Sequence, residues 1–259
     1  VRNPRAVAMV EKYVVSRVAH SITVVKESKD RLIRLGVPQG AVSIVSNTPP
    51  SCRVKDLVPR QPGSVLRVVY LGLMERHRGI IDVMAAASIL AQLNEPVRFD
   101  LIGDGRDYED FQMRARELGL GGDYFVFHGR LPHEAAIQIV EAAHVGIVPH
   151  HATASWNTTI SNKLFDYMAA GLAVVTSDAG PSRRVVEETG AGLVYNSGDP
   201  AGLANAVQAC QDPLKWEVFR KAGQAAIVAR YNWEFDASTL LDVIKAVKRP
   251  GSDLPPSPN

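Results

Sequence analysis

A chain of 259 residues has room for one large domain or one and a half ordinary ones, at ~150 residues per domain. Apolar residues make up 46% and charged residues 22%, an ordinary globular mix that excludes disorder, collagen and coiled coil as the main state. The formal net charge is +2 and the basic residues never gather into a long run, so no nucleic-acid groove is indicated, while Cys52 and Cys210 are too few and too distant for a disulfide framework or a zinc site.

No stretch approaches the ~18 uninterrupted apolar residues of a membrane span, and Val1-Arg2-Asn3-Pro4-Arg5 lacks the apolar run of a signal peptide. A cytoplasmic protein is expected. Peripheral contact with the inner face of a membrane stays open, because a basic patch assembled only by folding leaves no run in the sequence.

Short β-branched runs alternate with amphipathic stretches, the pattern of parallel sheets covered by helices on both faces. The expected class is α/β: a Rossmann-like parallel sheet with helices on both faces, plus a partial second α/β domain. In chain order, a helix precedes a strand over Ser21–Val25, then a helix and a strand over Val42–Val45. Pro49, Pro50, Pro59 and Pro62 then break both periods, so residues 49–63 read as an interdomain linker after a first unit of residues 1–48. Six strands follow, over Leu66–Leu71, Arg98–Ile102, Phe125–His128, Val145–Val148, Ala173–Thr176 and Leu193–Tyr195, and make residues 64–231 a second domain. Between them Ile80, Val83, Met84, Ala87 and Leu90 recur at helical spacing, as do Leu203, Ala206, Val207 and Cys210, which assigns both stripes to a core. Ala19–Val24 is faintly echoed by Ala143–Val148, as two similar domains would require. Residues 250–259 hold four prolines and read as a disordered tail.

In an open parallel sheet the ligand sits beyond the carboxyl ends of the strands, so the turns there carry the chemistry. Gly72 to Gly79 leaves a strand and presents Arg76 and Arg78 before a helix. Guanidinium groups beside a helix N-terminus suit a diphosphate, with a solvated basic loop as the alternative. Gly103-Asp104-Gly105-Arg106 opens like a dinucleotide fingerprint, but Tyr108 stands where the third glycine belongs; this argues against an ordinary nicotinamide site and leaves a simple chain reversal open. His128-Gly129-Arg130-Leu131 leaves a strand with irregular backbone able to read a base edge, although His128 alone equally fits a packed or solvated residue. The most specific segment runs from Thr158 to Gly171. There Ser161 is the expected N-cap, Leu164, Phe165 and Met168 face the core, and Lys163 and Asp166 share the exposed face, as ligand contacts or as a surface ion pair.

Ser161 to Asp178, reading Ser-Asn-Lys-Leu-Phe-Asp-Tyr-Met-Ala-Ala-Gly-Leu-Ala-Val-Val-Thr-Ser-Asp, resembles the donor-site motif of the retaining glycosyltransferases of family 4, which have the GT-B fold. Tyr70-Leu71-Gly72 through Gly79 resembles that family's phosphate loop, Leu101 to Gly105 its second turn, and Phe127 to Leu131 its base-binding turn. Gly192 to Tyr195 with Gly198-Asp199-Pro200 resembles its closing strand and helix start. The resemblance runs from about Val7 to Lys248.

It implies an enzyme that moves a sugar from a uridine or guanosine diphosphate donor to an unknown acceptor with retention at the anomeric carbon, needing no metal or other cofactor. By the same resemblance Gly72, Arg76, Arg78 and Lys163 hold the diphosphate, and Gly103, His128, Gly129, Arg130 and Leu131 the base. Asp166, Ser161, Asn162 and Leu164 hold the ribose and sugar, with His150 and His151 beside the sugar or facing solvent. Three positions depart from the family: Leu73 where an arginine is common, Thr158 where a glutamate often stands, and Asp166 for a glutamate, shorter by ~1.5 Å.

The resemblance also implies that Val45-Ser46-Asn47 ends an acceptor-binding domain of which most is missing, the catalytic group with it. Residues 232–249, with Trp233 and Phe235, become the crossover helix that packs back on that domain. The expectation is a donor-binding domain with a remnant of its neighbour, inactive alone, whose uncovered apolar surface on Val1–Val45 and the terminal helix favours self-association. Two alternatives are a nucleotide-sugar epimerase on a similar scaffold and a non-catalytic nucleotide-binding or interaction module.

Overall fold

The computed structural model describes residues 4–54 and 62–247; Pro59, the middle of the expected linker and the expected tail at residues 250–259 lie outside them. Among the described residues, eight strands divide between two sheets, both wholly parallel. After α1 (Pro4–Val15), β1 (Ser21–Thr23) pairs with β2 (Val42–Ile44) through α2 (Lys26–Arg34). Both strands are slightly shorter than their apolar runs. The larger sheet contains β3 (Leu66–Leu71), β4 (Val97–Ile102), β5 (Phe125–Gly129), β6 (Val145–Val148), β7 (Ala173–Ser177) and β8 (Gly192–Tyr195). Its order is β5-β4-β3-β6-β7-β8.

Helices cover both faces because the strands are apolar on both. In β3, Leu66, Val68 and Tyr70 enter one buried cluster with α3 (Ile80–Gln92), α4 (Tyr108–Glu117) and α8 (Pro200–Ala209). Val69 and Leu71 enter the other, with α5 (His133–Glu141), α6 (Lys163–Ala169) and α7 (Gly180–Thr189). α9 (Pro213–Ala229) spans the two clusters, giving Trp216 to the first and Ile227 to the second. The expected stripes at Ile80–Leu90 and Leu203–Cys210 are buried as read.

Strand order reverses between β3 and β6, the topological switch of a doubly wound sheet. These strands pair only at Val68↔Val145 and Val69↔Gly146, then part toward their carboxyl ends. The amide orphaned by that parting, Leu71 N–H, donates to the Tyr167 hydroxyl at 2.8 Å. Gly146 makes room for this wedge, since a methyl there would overlap the Tyr167 ring.

α10 (Trp233–Val247) packs against β2 and the residues that follow it. Trp233 N–H donates to the Pro49 carbonyl at 3.0 Å, Ser51 N–H to Glu234 at 2.9 Å, and the Thr48 hydroxyl to buried Asp236. From the opposite side Glu27 of α2 forms an ion pair with Arg184 of α7, and the Ser28 hydroxyl donates to the Thr158 carbonyl. A cavity of about 350 Å³, lined among others by Val24, Ser46, Phe165, Arg184 and Tyr231, lies between these contacts. Met9, Val10 and Tyr13 of α1 and Phe235 and Leu241 of α10 remain exposed. No described helix is long and apolar enough to cross a membrane.

Candidate functional site

Three turns interlock at the carboxyl edge beside the switch point. Gly72 N–H donates to the Ile102 carbonyl and Gly103 N–H to the Gly129 carbonyl, each at 2.9 Å, while Met74 N–H donates to the Asp104 carbonyl at 3.0 Å. The ends of β3, β4 and β5 are thereby sewn together by main chain. Gly103 has φ +136°, and a methyl on it would overlap the Gly72 carbonyl, so no side chain fits. Gly79, with φ +77°, closes the first turn against the Pro149 carbonyl that follows β6, again without room for a methyl.

Against this junction stands a cluster of side chains from both halves of the sheet. Lys163, the first residue of α6, is only 8% exposed, and its Nζ lies 3.9 Å from the centre of the Tyr70 ring with no hydrogen-bond partner. The same Nζ is 2.7 Å from where a Gly72 methyl would stand, so glycine at that position admits the lysine. Burial, and then the charge of Arg78, hold the lysine pKa well below its ordinary value. Arg78 reaches Glu75 at 3.5 Å and donates to His150 Nε2 at 3.5 Å. His150 is 1% exposed, stacks on Trp156 with centroids 3.8 Å apart, and keeps Nδ1 without a partner. Burial, followed by Lys163 and Arg78, lowers its pKa to about 2, so the ring is neutral.

Several expected positions are corrected by this geometry. Lys163 and Asp166 do not share an exposed face: α6 is buried almost all round, because it lies between the sheet at β6 and β7 and α9. Ser161 is not its N-cap. Asn162 occupies that place without a side-chain cap bond, and Ser161 instead accepts the Leu164 amide through its carbonyl at 3.1 Å. That bond and complete burial make Leu164 a packing residue, while Asn162 is exposed. Arg76 points away, its guanidinium 2.9 Å from Asp110 and 3.5 Å from Asp107 on the far side of the loop. His128 turns its ring under the sheet end, 2.8 Å from Asp100, so that only the main chain of its turn faces the edge. Arg130 is exposed and Leu131 half-buried. Tyr108, in place of the third glycine, packs edge-on against Phe127.

Asp166 borders a cleft of about 30 Å³ with Arg53, Leu71 and Tyr167. Burial raises its pKa, opposed by Arg53 and by His133 at the start of α5. Thr158 spends its hydroxyl on the Ala154 and Ser155 carbonyls. Leu73 is 50% exposed, and its carbonyl accepts the Tyr70 hydroxyl at 2.8 Å. The two histidines separate: His151 Nε2 lies 2.9 Å from Asp82, whose carboxylate also accepts Gly198 N–H at 3.2 Å. Among the described residues no group of three or more His, Cys, Asp or Glu is gathered to hold a metal ion.

Sequence reading missed Tyr70, Tyr167, Trp156 and Asp82 as parts of this edge. Tyr70 alternates with core residues of β3 and reads as core, which its ring is. The pairing of Gly146 with Tyr167 was the only available signal, a glycine inside a strand calling for a close approach.

The family described as "Glycosyl transferases group 1" matches residues 66–212. A phosphatidyl-myo-inositol mannosyltransferase of Mycobacterium leprae is 29% identical over 191 residues, covering 72% of this chain and 48% of the relative. A glycogen synthase of Mycobacterium tuberculosis is 24% identical over 249 residues, covering 95% of this chain and 58% of the relative. The chain therefore spans about half the length of the curated relatives it matches. Among solved structures, Anabaena Alr3699/HepE in complex with UDP superposes with a TM-score of 0.80 at 18% identity, covering 94% of this chain and 68% of that one. That likeness establishes the GT-B fold.

Proposed function

The chain belongs to the group 1 glycosyl transferases, and from that premise we propose that its six-stranded domain binds a nucleoside diphosphate sugar. The whole protein would transfer the sugar to an acceptor with retention at the anomeric carbon and without a metal. The observation that carries this reading is the meeting of Gly72, Gly103 and Gly129 with Arg78 and Lys163 at the switch point of one parallel sheet. Such an edge is where open α/β sheets take nucleotides. That HepE was solved with UDP supports the choice of ligand class.

Chemically, breaking the bond between sugar and phosphate leaves negative charge on the departing diphosphate, so positioned cations act more strongly in the transition state than on the bound donor. Arg78 is the cation with an open approach, at 20% side-chain exposure. Asp166 is assigned the ribose hydroxyls and the main chain of Gly129 to Leu131 the base. Arg76 has no part in this reading, because Asp107 and Asp110 hold it elsewhere. Titration with UDP, GDP, ADP and their glucose or mannose esters checks it: saturable binding of one nucleotide series is expected, tighter than the matching nucleoside or inorganic pyrophosphate alone. A flat titration for every nucleotide sinks the proposal.

A further inference from the structure

Lys163 is an unusual cation. It is buried, it rests on an aromatic face, and its Nζ has no hydrogen-bond partner. The groups around it are Tyr70 from β3, Arg78 from the following loop and His150 after β6; Glu75 stands by Tyr70 and is held by Arg78, and His77 and His151 stand around His150. On its own helix stand Asp166 and Tyr167. The nearest full charge is the like charge of Arg78, and Glu75 is already engaged by Arg78. An ammonium so placed loses its hydration and gains no counter-ion, a loss that the Tyr70 face offsets only in part, so the neutral amine is favoured.

Resting on the nucleotide reading above, we propose that the diphosphate enters this site together with a proton, Lys163 being an amine in the free protein and an ammonium in the nucleotide complex. The proton comes from solvent and adds to the lysine nitrogen lone pair; no other bond changes. No direct contact between Nζ and phosphate is required. A diphosphate paired with Arg78 cancels the nearest like charge and adds negative charge beside the lysine, and both changes favour the protonated form. The full cationic site thus assembles only when the anion arrives, and donor affinity falls as the pH rises through the range where the lysine is an amine in the free protein and an ammonium in the complex. His150 does not take this role, because burial above all holds its pKa to about 2, too low for one bound anion to protonate the ring near neutral pH.

The test is calorimetric titration of the protein with UDP and GDP at about pH 8, in buffers of different ionisation enthalpy. The slope of the observed enthalpy counts protons. About one proton taken up per nucleotide bound is expected, with almost none in Lys163→Met and an unchanged count in His150→Asn. Binding without proton uptake in the wild-type protein overturns the inference while leaving the nucleotide reading intact, and this needs no variant to fold. Uptake that persists in Lys163→Met overturns it too. If neither nucleotide nor its sugar esters bind, the nucleotide reading fails and this inference with it.

Discussion

Two regions meet at the carboxyl edge and are built on different principles. The junction of the β3, β4 and β5 ends is main chain, and at Gly103 and Gly105 a methyl would overlap a neighbouring carbonyl. The start of α6 and the loop after β6 are side chains: a buried lysine on the Tyr70 ring, and a neutral histidine stacked on Trp156. The first region has one shape, and Gly103 within it has no room for a side chain. The second has polar atoms held in reserve, and its charge depends on what binds. A rigid backbone cradle beside an electrostatically unfinished cluster divides positioning from charge stabilisation.

The largest expected effect breaks the rigid region. Gly103→Ala forces a strained backbone and an overlap with the Gly72 carbonyl, so a loss of about 3 kcal/mol or more is expected in urea unfolding. A loss under about 1 kcal/mol would mean that the turns are not locked together.

Beneath the same region, Asp100 is wholly buried and binds Arg98, Arg67 and His128. Burial pushes its pKa up, but the hydrogen bonds from Arg98 and His128 prevail and the net value lies below the ordinary 3.8. Its contribution is therefore complete above pH 3.8 and fades as the pH falls through the depressed value. Asp100→Asn should cost about 3 kcal/mol at neutral pH and flatten the acid limb of the stability curve. An unchanged acid limb would assign the wild-type acid sensitivity to other carboxylates.

The smallest effect sharpens the second region. Leu73 is half-exposed on the loop that carries Arg78, and only its main chain is engaged. Leu73→Arg adds a cation at the diphosphate approach, so nucleotide affinity should rise about 3- to 10-fold with stability moved by less than about 0.5 kcal/mol. A gain in affinity without a change in the salt dependence of binding would rule out the electrostatic cause.

The glycine junction was legible in the sequence because a backbone that cannot carry a methyl leaves a residue type behind. Strand alternation and the helix stripes were legible for the same reason, that burial on both faces demands apolar residues at fixed periods. The side-chain cluster was not. Arg76 and Arg78 look alike in one loop, and what parts them is Asp107 and Asp110, some thirty positions later and adjacent only through folding. Periodicity set Lys163 outside because it weighs a helix against one core, whereas α6 is enclosed by the sheet on one side and α9 on another. His128 shows the same limit, its partner Asp100 lying on the neighbouring strand.

The most direct measurement is nucleotide affinity in two variants of one loop, Arg78→Ala and Arg76→Ala, with UDP and GDP as ligands. A direct charged hydrogen bond from Arg78 predicts a loss of about 1.5 to 3 kcal/mol, roughly 10- to 150-fold, in the first variant and none beyond twofold in the second. Equal losses in both, or full affinity in Arg78→Ala, would contradict the placement of the diphosphate at this edge.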